Sequence, residues 1–357
     1  MLRRLWVRNF RNLSEQVVYF DPKITVVVGD NNQGKTNLLE AIYCAVSGKA
    51  IRGEQFSDLL ALGAESGALA VEINDMQDGE LRVYREFDRT SSRKPTLSNE
   101  FISQKKVDGR IVPVYWSADI IRSFQESGDS RRDLLDQMST TFVPNYEILK
   151  RRYSRLLNQR NAALKNRSES AVMLYTSPLI ECSYQITVAR EAALNAVFDR
   201  INLLLPELPE LGFSKLSPEL ILKRVNRLEY LESMRSILVE NFQKELILGY
   251  TITGAHRDDF DVKHEDRSVI QFFSRGIARS IAILIHLVVL EGRKSPYLVL
   301  IDDAFCEIAE ALKLSLQTAV ISRFQTVYVT TDRGDSRRLG LDGHWIMLNG
   351  GCVYGKT

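Results

Sequence analysis

Nine consecutive residues, Gly29, Asp30, Asn31, Asn32, Gln33, Gly34, Lys35, Thr36 and Asn37, have the types and spacing that hold phosphate. Gly29, Gly34, Lys35 and Thr36 fill the pattern G-x-x-x-x-G-K-[ST]. Glycines let the backbone turn its N–H groups onto an anion, and the start of the following helix adds partial positive charge. A lysine at this position reaches the outer phosphates, and the hydroxyl after it binds Mg²⁺. The bland alternative is a glycine loop joining a core strand to a core helix. Asn32 stands where many such loops carry Gly or Ala, but Asn tolerates positive φ better than most residues.

A phosphate loop needs a carboxylate on a neighbouring strand to hold the metal ion and its water. The stretch "YLVLIDDAF" offers Asp302 and Asp303 there. Asp302 is expected to serve Mg²⁺ and Asp303 to orient or deprotonate the attacking water, with the two roles exchangeable. Upstream, Ser274 and Gly276 precede a long apolar segment, which makes a second anion-binding helix start, although Ser before a helix is more often only an N-cap.

These residues need elements to position them. Ile24 to Val28 is a continuous β-branched run, as in a strand buried on both faces. From Lys35 the apolar residues Leu38, Leu39, Ile42 and Val46 take helical spacing, with Gly48 where a C-terminal cap belongs. Leu2 to Phe10, "ALAVEI", "LRVYREF" and "IVPVYW" read as strands, and "DRTSSRKPTLSNE" as a polar loop. Tyr146 to Leu248 reads as several helices of ordinary length, broken at "TSPL", "LPELPELG" and "LSPEL". After that, strand, helix and strand alternate through "YLVLI", "EIAEALKLSLQTAVI" and "TVYVTT", the pattern of a parallel sheet. "HWIMLNGGCVYG" closes the chain as a hairpin.

The whole chain sets limits. Its 357 residues can bury a large core, and 45% apolar with 26% charged residues is an ordinary globular composition. No apolar run is long enough to cross a bilayer, so no membrane association is expected. The four cysteines, Cys44, Cys182, Cys306 and Cys352, are far apart and suggest neither zinc nor a disulfide framework, which fits a reducing cytoplasm. A net charge of +2 does not by itself indicate nucleic acid.

The order of phosphate loop, large insertion, Ser-x-Gly helix and Asp-Asp strand resembles the ATPase heads of the ABC superfamily, and within them the RecF family. "LWVRNFRNL", "GDNNQGKTNLLEAIY", "SRRDLLD", "YSRLLNQRNAAL", "GAHRDDF" and "LIDDAFCEI" fall in family order along essentially the whole chain. The resemblance implies an α/β fold, an ABC-type P-loop ATPase head formed by residues 1–120 and 249–357, with a mostly helical inserted lobe at 121–248. It implies a cytoplasmic protein that binds ATP and Mg²⁺ and hydrolyses ATP slowly under stimulation by DNA. It further implies a homodimer with ATP sandwiched between the P-loop of one copy and Ser274 and Gly276 of the other. Such a dimer would bind gapped DNA or single-strand–double-strand junctions and, with RecO and RecR, help to load RecA in repair and replication restart. Two positions depart from the family: Ile277 stands where the Ser-x-Gly motif is usually followed by Gln, and Ala309 replaces the Asp usual after the Asp-Asp strand. Both are expected to face the other copy's nucleotide, so a chain that binds ATP but dimerises or hydrolyses weakly, acting as a regulator or scaffold, is the competing reading.

DNA contact must come from local patches. Lys150, Arg151, Arg152, Arg155, Arg160, Lys165 and Arg167 lie between Ile148 and Arg167 with no acid among them, the composition of a helix face that meets phosphates without reading bases. Lys150, Arg151, Arg152, Arg155 and Arg160 are the foremost candidates. Arg3, Arg4, Arg8, Arg11, Lys105, Lys106 and Arg110 are secondary ones. His256, Asp258 and Asp259 offer too few ligands for zinc. The chain has no Asn-Lys-x-Asp motif for guanine, and its insertion is too short for the heptad arms of chromosome ATPases.

Overall fold

Along the first strand, β1 (Leu2–Arg8), Leu2, Leu5 and Val7 are buried while Arg3 is exposed, the alternation of a strand with one face on a core. Next come β2 (Gln16–Tyr19), β3 (Ile24–Val28), helix α1 (Lys35–Ser47), β4 (Ser66–Asp75), β5 (Gly79–Asp88), β6 (Thr96–Leu97) and β7 (Val112–Ser117). Strands β2, β1, β4, β5 and β6 pair in that order into an antiparallel sheet. The computed structural model describes residues 1–51, 55–75, 79–89, 96–97, 110–221, 226–293, 295–331 and 345–354. Most of the polar stretch read as a loop falls outside them, but β6 shows that part of it extends the sheet.

The chain divides into two compact units, Met1–Ile121 with Lys294–Thr357, and Arg122–Arg293. Helix α2 (Ala118–Glu126) leads into the second. That unit is built on α3 (Gly128–Phe142), α4 (Tyr146–Lys165) and α5 (Glu169–Leu204), followed by β8 (Ser217–Leu220), α6 (Arg227–Glu240) and α7 (Phe242–Leu248). Then come β9 (Phe260–His264), β10 (Arg267–Ser268), the short α8 (Val269–Phe272) and α9 (Arg275–Gly292). Two expectations need correction here. "TSPL" does not end a helix: α5 runs 36 residues through Pro178. An internal proline costs about 3 kcal/mol, and the buried residues on both sides of it, from Val172 to Ile201, offset that cost. The helical unit also continues past 248, because β9 pairs with β8 and β10, and α9 packs on α3 and α5. "LSPEL" is thus a strand rather than a gap between helices.

The chain then returns to the first unit with β11 (Tyr297–Asp302), α10 (Glu310–Ile321), β12 (Gln325–Thr330), β13 (Trp345–Asn349) and β14 (Cys352–Tyr354). Here the order β14-β13-β3-β12-β11-β7 forms a second sheet, parallel except for the terminal hairpin of β13 and β14. All five residues of β3 and all six of β12 are buried. Helix α1 lies between the two sheets, and Leu38, Leu39, Ile42 and Val46 join both in one core, with Gly48 as the left-handed cap. In the parallel register Val28 pairs with Thr330, Val329 with Asp302 and Asp302 with Ser117. The carboxyl ends of β3, β12, β11 and β7 therefore share one sheet edge, where ligands bind in open α/β sheets.

Candidate nucleotide-binding site

The loop from Gly29 to Gly34 leaves that edge directly after β3 and enters α1. Two close approaches fix its glycines. A Cβ on Gly29 would lie 2.4 Å from the Leu348 carbonyl oxygen, and one on Gly34 would lie 2.7 Å from Asn12 Oδ1. Gly34 also has φ 103°, and Asn32, as its type suggested, is left-handed at φ 64°. Gly34 brings no capping side chain, so it satisfies none of the first N–H groups of α1, which have no partner within the helix.

The charge sits where an anion could use it. Lys35 is buried, and its Nζ donates to the carbonyls of Gly29 at 2.7 Å and Asp30 at 2.8 Å. Burial pulls its pKa below the usual lysine value, against the opposing pull of Asp303, Asp302 and Asp30. An ammonium held in a partly desolvated cradle gains from a phosphate partner. Thr36 Oγ1 donates to Asp302 Oδ2 at 2.9 Å, linking the loop to the tip of β11. Asp303 follows, exposed and in a left-handed conformation, φ 53°, and its carboxyl is raised above the ordinary value by partial loss of water and by the charge of Asp302. Thr36, Asp302 and Asp303 also line a cavity of about 400 Å³ with Tyr115, Ser117 and Asp119. Hydroxyl and carboxylate oxygens converging beside a lysine cradle are the hard donor set that Mg²⁺ with a phosphate prefers.

Three contributors were not assigned to the site from the sequence. Tyr115, read only as part of a strand, donates its hydroxyl to Asp302 Oδ2 at 2.6 Å. Asn12 Oδ1 accepts from Asn37 Nδ2 at 2.8 Å, which fixes the loop's far end. The terminal hairpin straps Gln33: Gly351 N–H donates to its carbonyl at 3.0 Å and Gly350 N–H to its Oε1 at 2.5 Å. Asp30 and Asn31 are exposed.

The other candidates divide. Ser274 and Gly276 belong to the second unit, where Ser274 Oγ caps α9 by accepting from Ile277 N–H at 3.4 Å. Ile277 is half-buried, whereas Ile281, Leu284 and Val288 on the same helix are fully buried. Ala309 is exposed at the start of α10. On α4, Arg151, Arg152 and Arg155 are exposed, as are Lys165 and Arg167 beyond them. Arg160 corrects the solvated-face reading: it is 1% exposed and pairs with the fully buried Glu245 at 2.7 Å, with Thr251 and Thr176 as further acceptors. Lys150 is tied to Asp136 at 2.9 Å. Sequence distance hid both counter-charges, since Asp136 and Glu245 lie on α3 and α7.

In the N-terminal group Arg4 pairs with Glu72, Arg8 with Glu86 and Arg11 with Glu40. Arg3 is exposed, Arg110 is half-buried, and Lys105 and Lys106 lie outside the described residues. "GAHRDDF" is a structural knot of the second unit. His256 bonds Tyr153 at 2.8 Å and the Thr251 carbonyl at 3.0 Å, Arg190 and Arg132 meet Asp258, and Arg131 takes Asp259 through two bonds. Arg257 lies 6.0 Å above the Tyr250 ring, within the same unit. Among the described residues no cluster of three His, Cys, Asp or Glu could hold a metal by itself, and no helix is long and apolar enough to cross a membrane.

An Asp-tipped parallel sheet fed by a strand–loop–helix cradle, beside an antiparallel sheet and interrupted by a mostly helical insertion, is the architecture of ABC-type P-loop ATPase heads. The AAA domain family model matches residues 4–246, and a DNA replication and repair protein RecF from Leptospira interrogans is 30% identical over 345 residues, 93% of this chain and 92% of that protein. The chain belongs to the RecF family of DNA replication and repair proteins. Among solved structures, the recombination mediator protein RecF with ATP covers 99% of this chain and 96% of its own at 23% identity and TM-score 0.75. An SMC head bound to the C-terminal winged-helix domain of ScpA covers 99% and 95% at 14% identity and TM-score 0.59.

Proposed function

We propose that this chain binds ATP with Mg²⁺ in the cradle of Gly29 to Asn37 and uses it to control a homodimer that holds gapped DNA or single-strand–double-strand junctions. The observation that carries this is the joint placement of Lys35 over the loop and of Thr36 against Asp302. Family membership supports the repair and replication role. The recombination mediator RecF solved with ATP, of the RecFOR pathway, supports the nucleotide; the partnership with RecO and RecR in RecA loading rests on the family resemblance.

In this reading the loop and the first turn of α1 orient the phosphates, and Lys35 meets the outermost of them. Thr36 and Asp302 hold the cation, which when bound offsets phosphate charge. Asp303, with its raised proton affinity, is suited to accept a proton from water as hydrolysis begins. Ser274 and Gly276 of a second copy would close the nucleotide from the other side. Arg151, Arg152 and Arg155 would meet DNA phosphates without reading sequence.

Ile277 and Ala309 favour a second version of the same reading, in which ATP is held in one copy but dimerisation and turnover are weak. Light scattering with gapped DNA, with and without ATP, tests the first version. Mass and DNA affinity are expected to rise with ATP in the wild type and not in Lys35→Ala. If ATP changes neither, the reading is wrong. Weak ATPase unmoved by gapped DNA, with ATP still bound, selects the regulatory version.

A further inference from the structure

Asp302 has two hydroxyl partners, not one. Its Oδ2 accepts from Thr36 Oγ1 at 2.9 Å and from Tyr115 Oη at 2.6 Å. The register explains how Tyr115 reaches it. Strand β7 lies parallel to β11 with Tyr115 opposite Leu300 and Ser117 opposite Asp302. Residues two apart share a face, so Tyr115 and Asp302 are diagonal neighbours on the face toward α1, within reach of a long side chain. The Tyr115 ring packs against the core around α1, which fixes the direction of its hydroxyl.

The two donors are not equivalent. The Thr36 hydroxyl would have two roles when a cation binds beside the loop, offering a lone pair to the metal while its proton still goes to Asp302. Tyr115 meets the same carboxylate from the neighbouring strand. Its phenol stands on the strand side of the carboxylate, in the wall of the cavity that Thr36, Asp302 and Asp303 share.

We infer that Tyr115 is a positioning residue that holds the Asp302 carboxylate in the orientation needed for Mg²⁺, through a hydroxyl bond that anchors it from β7 while Thr36 also serves the cation. This rests on the nucleotide reading above. Outer-sphere partners of a ligating carboxylate change metal affinity by about 10- to 100-fold when removed. Tyr115→Phe keeps the ring and its packing and deletes only the donor.

The test is a Mg²⁺ titration of the full chain with a fluorescent ATP analogue, run beside the same binding measurement in EDTA. For Tyr115→Phe the Mg²⁺ concentration at half-maximal effect is expected to rise by on the order of 10-fold, with the EDTA affinity unchanged. Adding Tyr115→Phe to Asp302→Asn is expected to produce no further shift in the Mg²⁺ midpoint, because the proposed effect of the tyrosine on the metal runs through that carboxylate. An unchanged Mg²⁺ midpoint, an equal loss of affinity in EDTA, or additive effects in the double variant each overturns the inference. A wild type that binds the analogue no better with Mg²⁺ than in EDTA would instead overturn the metal site itself, and one that does not bind it at all the nucleotide reading.

Discussion

Asp302 and Asp303 adjoin in sequence yet their surroundings differ. Asp302 is held by two hydroxyls, whereas Asp303, though exposed, retains its proton to a somewhat higher pH than a free aspartate, first because part of its carboxyl loses water and then because Asp302 lies beside it. The sign of the consequence for stability follows by linkage. Between the ordinary aspartate value and the raised one, the folded chain binds more protons than the unfolded chain, so stability falls as pH rises through that window. Near neutral pH, the ionised Asp303 is therefore a cost, kept small by its exposure to solvent, and Asp303→Asn should melt slightly higher than the wild type. Asn also accepts the left-handed φ of 53° more readily than most residues. The advantage should shrink below about pH 4, where free aspartate is itself protonated. Thermal melts at the two pH values check this, and a variant that melts lower at both refutes it. As the proposed proton acceptor, Asp303→Asn should also keep nucleotide binding while losing hydrolysis, measured as phosphate release.

Within one element, α4, chemically similar residues do different work. Arg160 is sealed against Glu245, and removing one partner of a buried ion pair costs about 3–5 kcal/mol. Arg160→Ala should thus lower the unfolding midpoint sharply. Arg151→Ala with Arg155→Ala, both exposed, should change stability by only about 0.5 kcal/mol yet weaken DNA binding and flatten its salt dependence by about one ion per residue. Urea melts beside salt-dependent DNA titrations separate the two, and equal losses of stability would remove the reason to treat the exposed pair as a DNA surface. The sequence could not make this distinction, because periodicity places Arg160 on the helix but does not show that α7 covers it. The same limit applies to Tyr115, whose partner is 187 residues away, and to Pro178, where tertiary burial outweighed a local break. The cradle was legible because its chemistry is contiguous: strand, turn and helix start meet within Ile24 to Thr36. Asp302 was legible because a buried strand ending in acids is a local pattern, and the parallel register then carried it to Thr36. The unit boundary was not, since it is set by the long-range pairing of β9 with β8, on the far side of two helices, which no local pattern reveals.

For the whole molecule, the open issue is what a second copy can add. Ser274 caps its own helix, and Ile277, three residues on, presents a half-buried aliphatic side chain with no hydrogen-bonding group. Ala309 is the N-cap of α10 and makes no side-chain cap bond. Family resemblance assigns Gln and Asp to these places, groups able to meet a nucleotide or its water across a dimer. Ala309→Asp therefore has two separable effects. As an N-cap it should stabilise the chain by about 1 kcal/mol with or without ATP. Together with Ile277→Gln it should increase the ATP-dependent dimer fraction, read by light scattering at fixed protein concentration, and raise phosphate release. Ala309→Asp in the Lys35→Ala background should retain the stability gain and lose the dimer gain, because the cap is intrinsic to α10 whereas the dimer needs nucleotide. If the unaltered chain is already fully dimeric with ATP, Ile277 and Ala309 are no impediment, and the weak-dimer version of the proposed function is wrong.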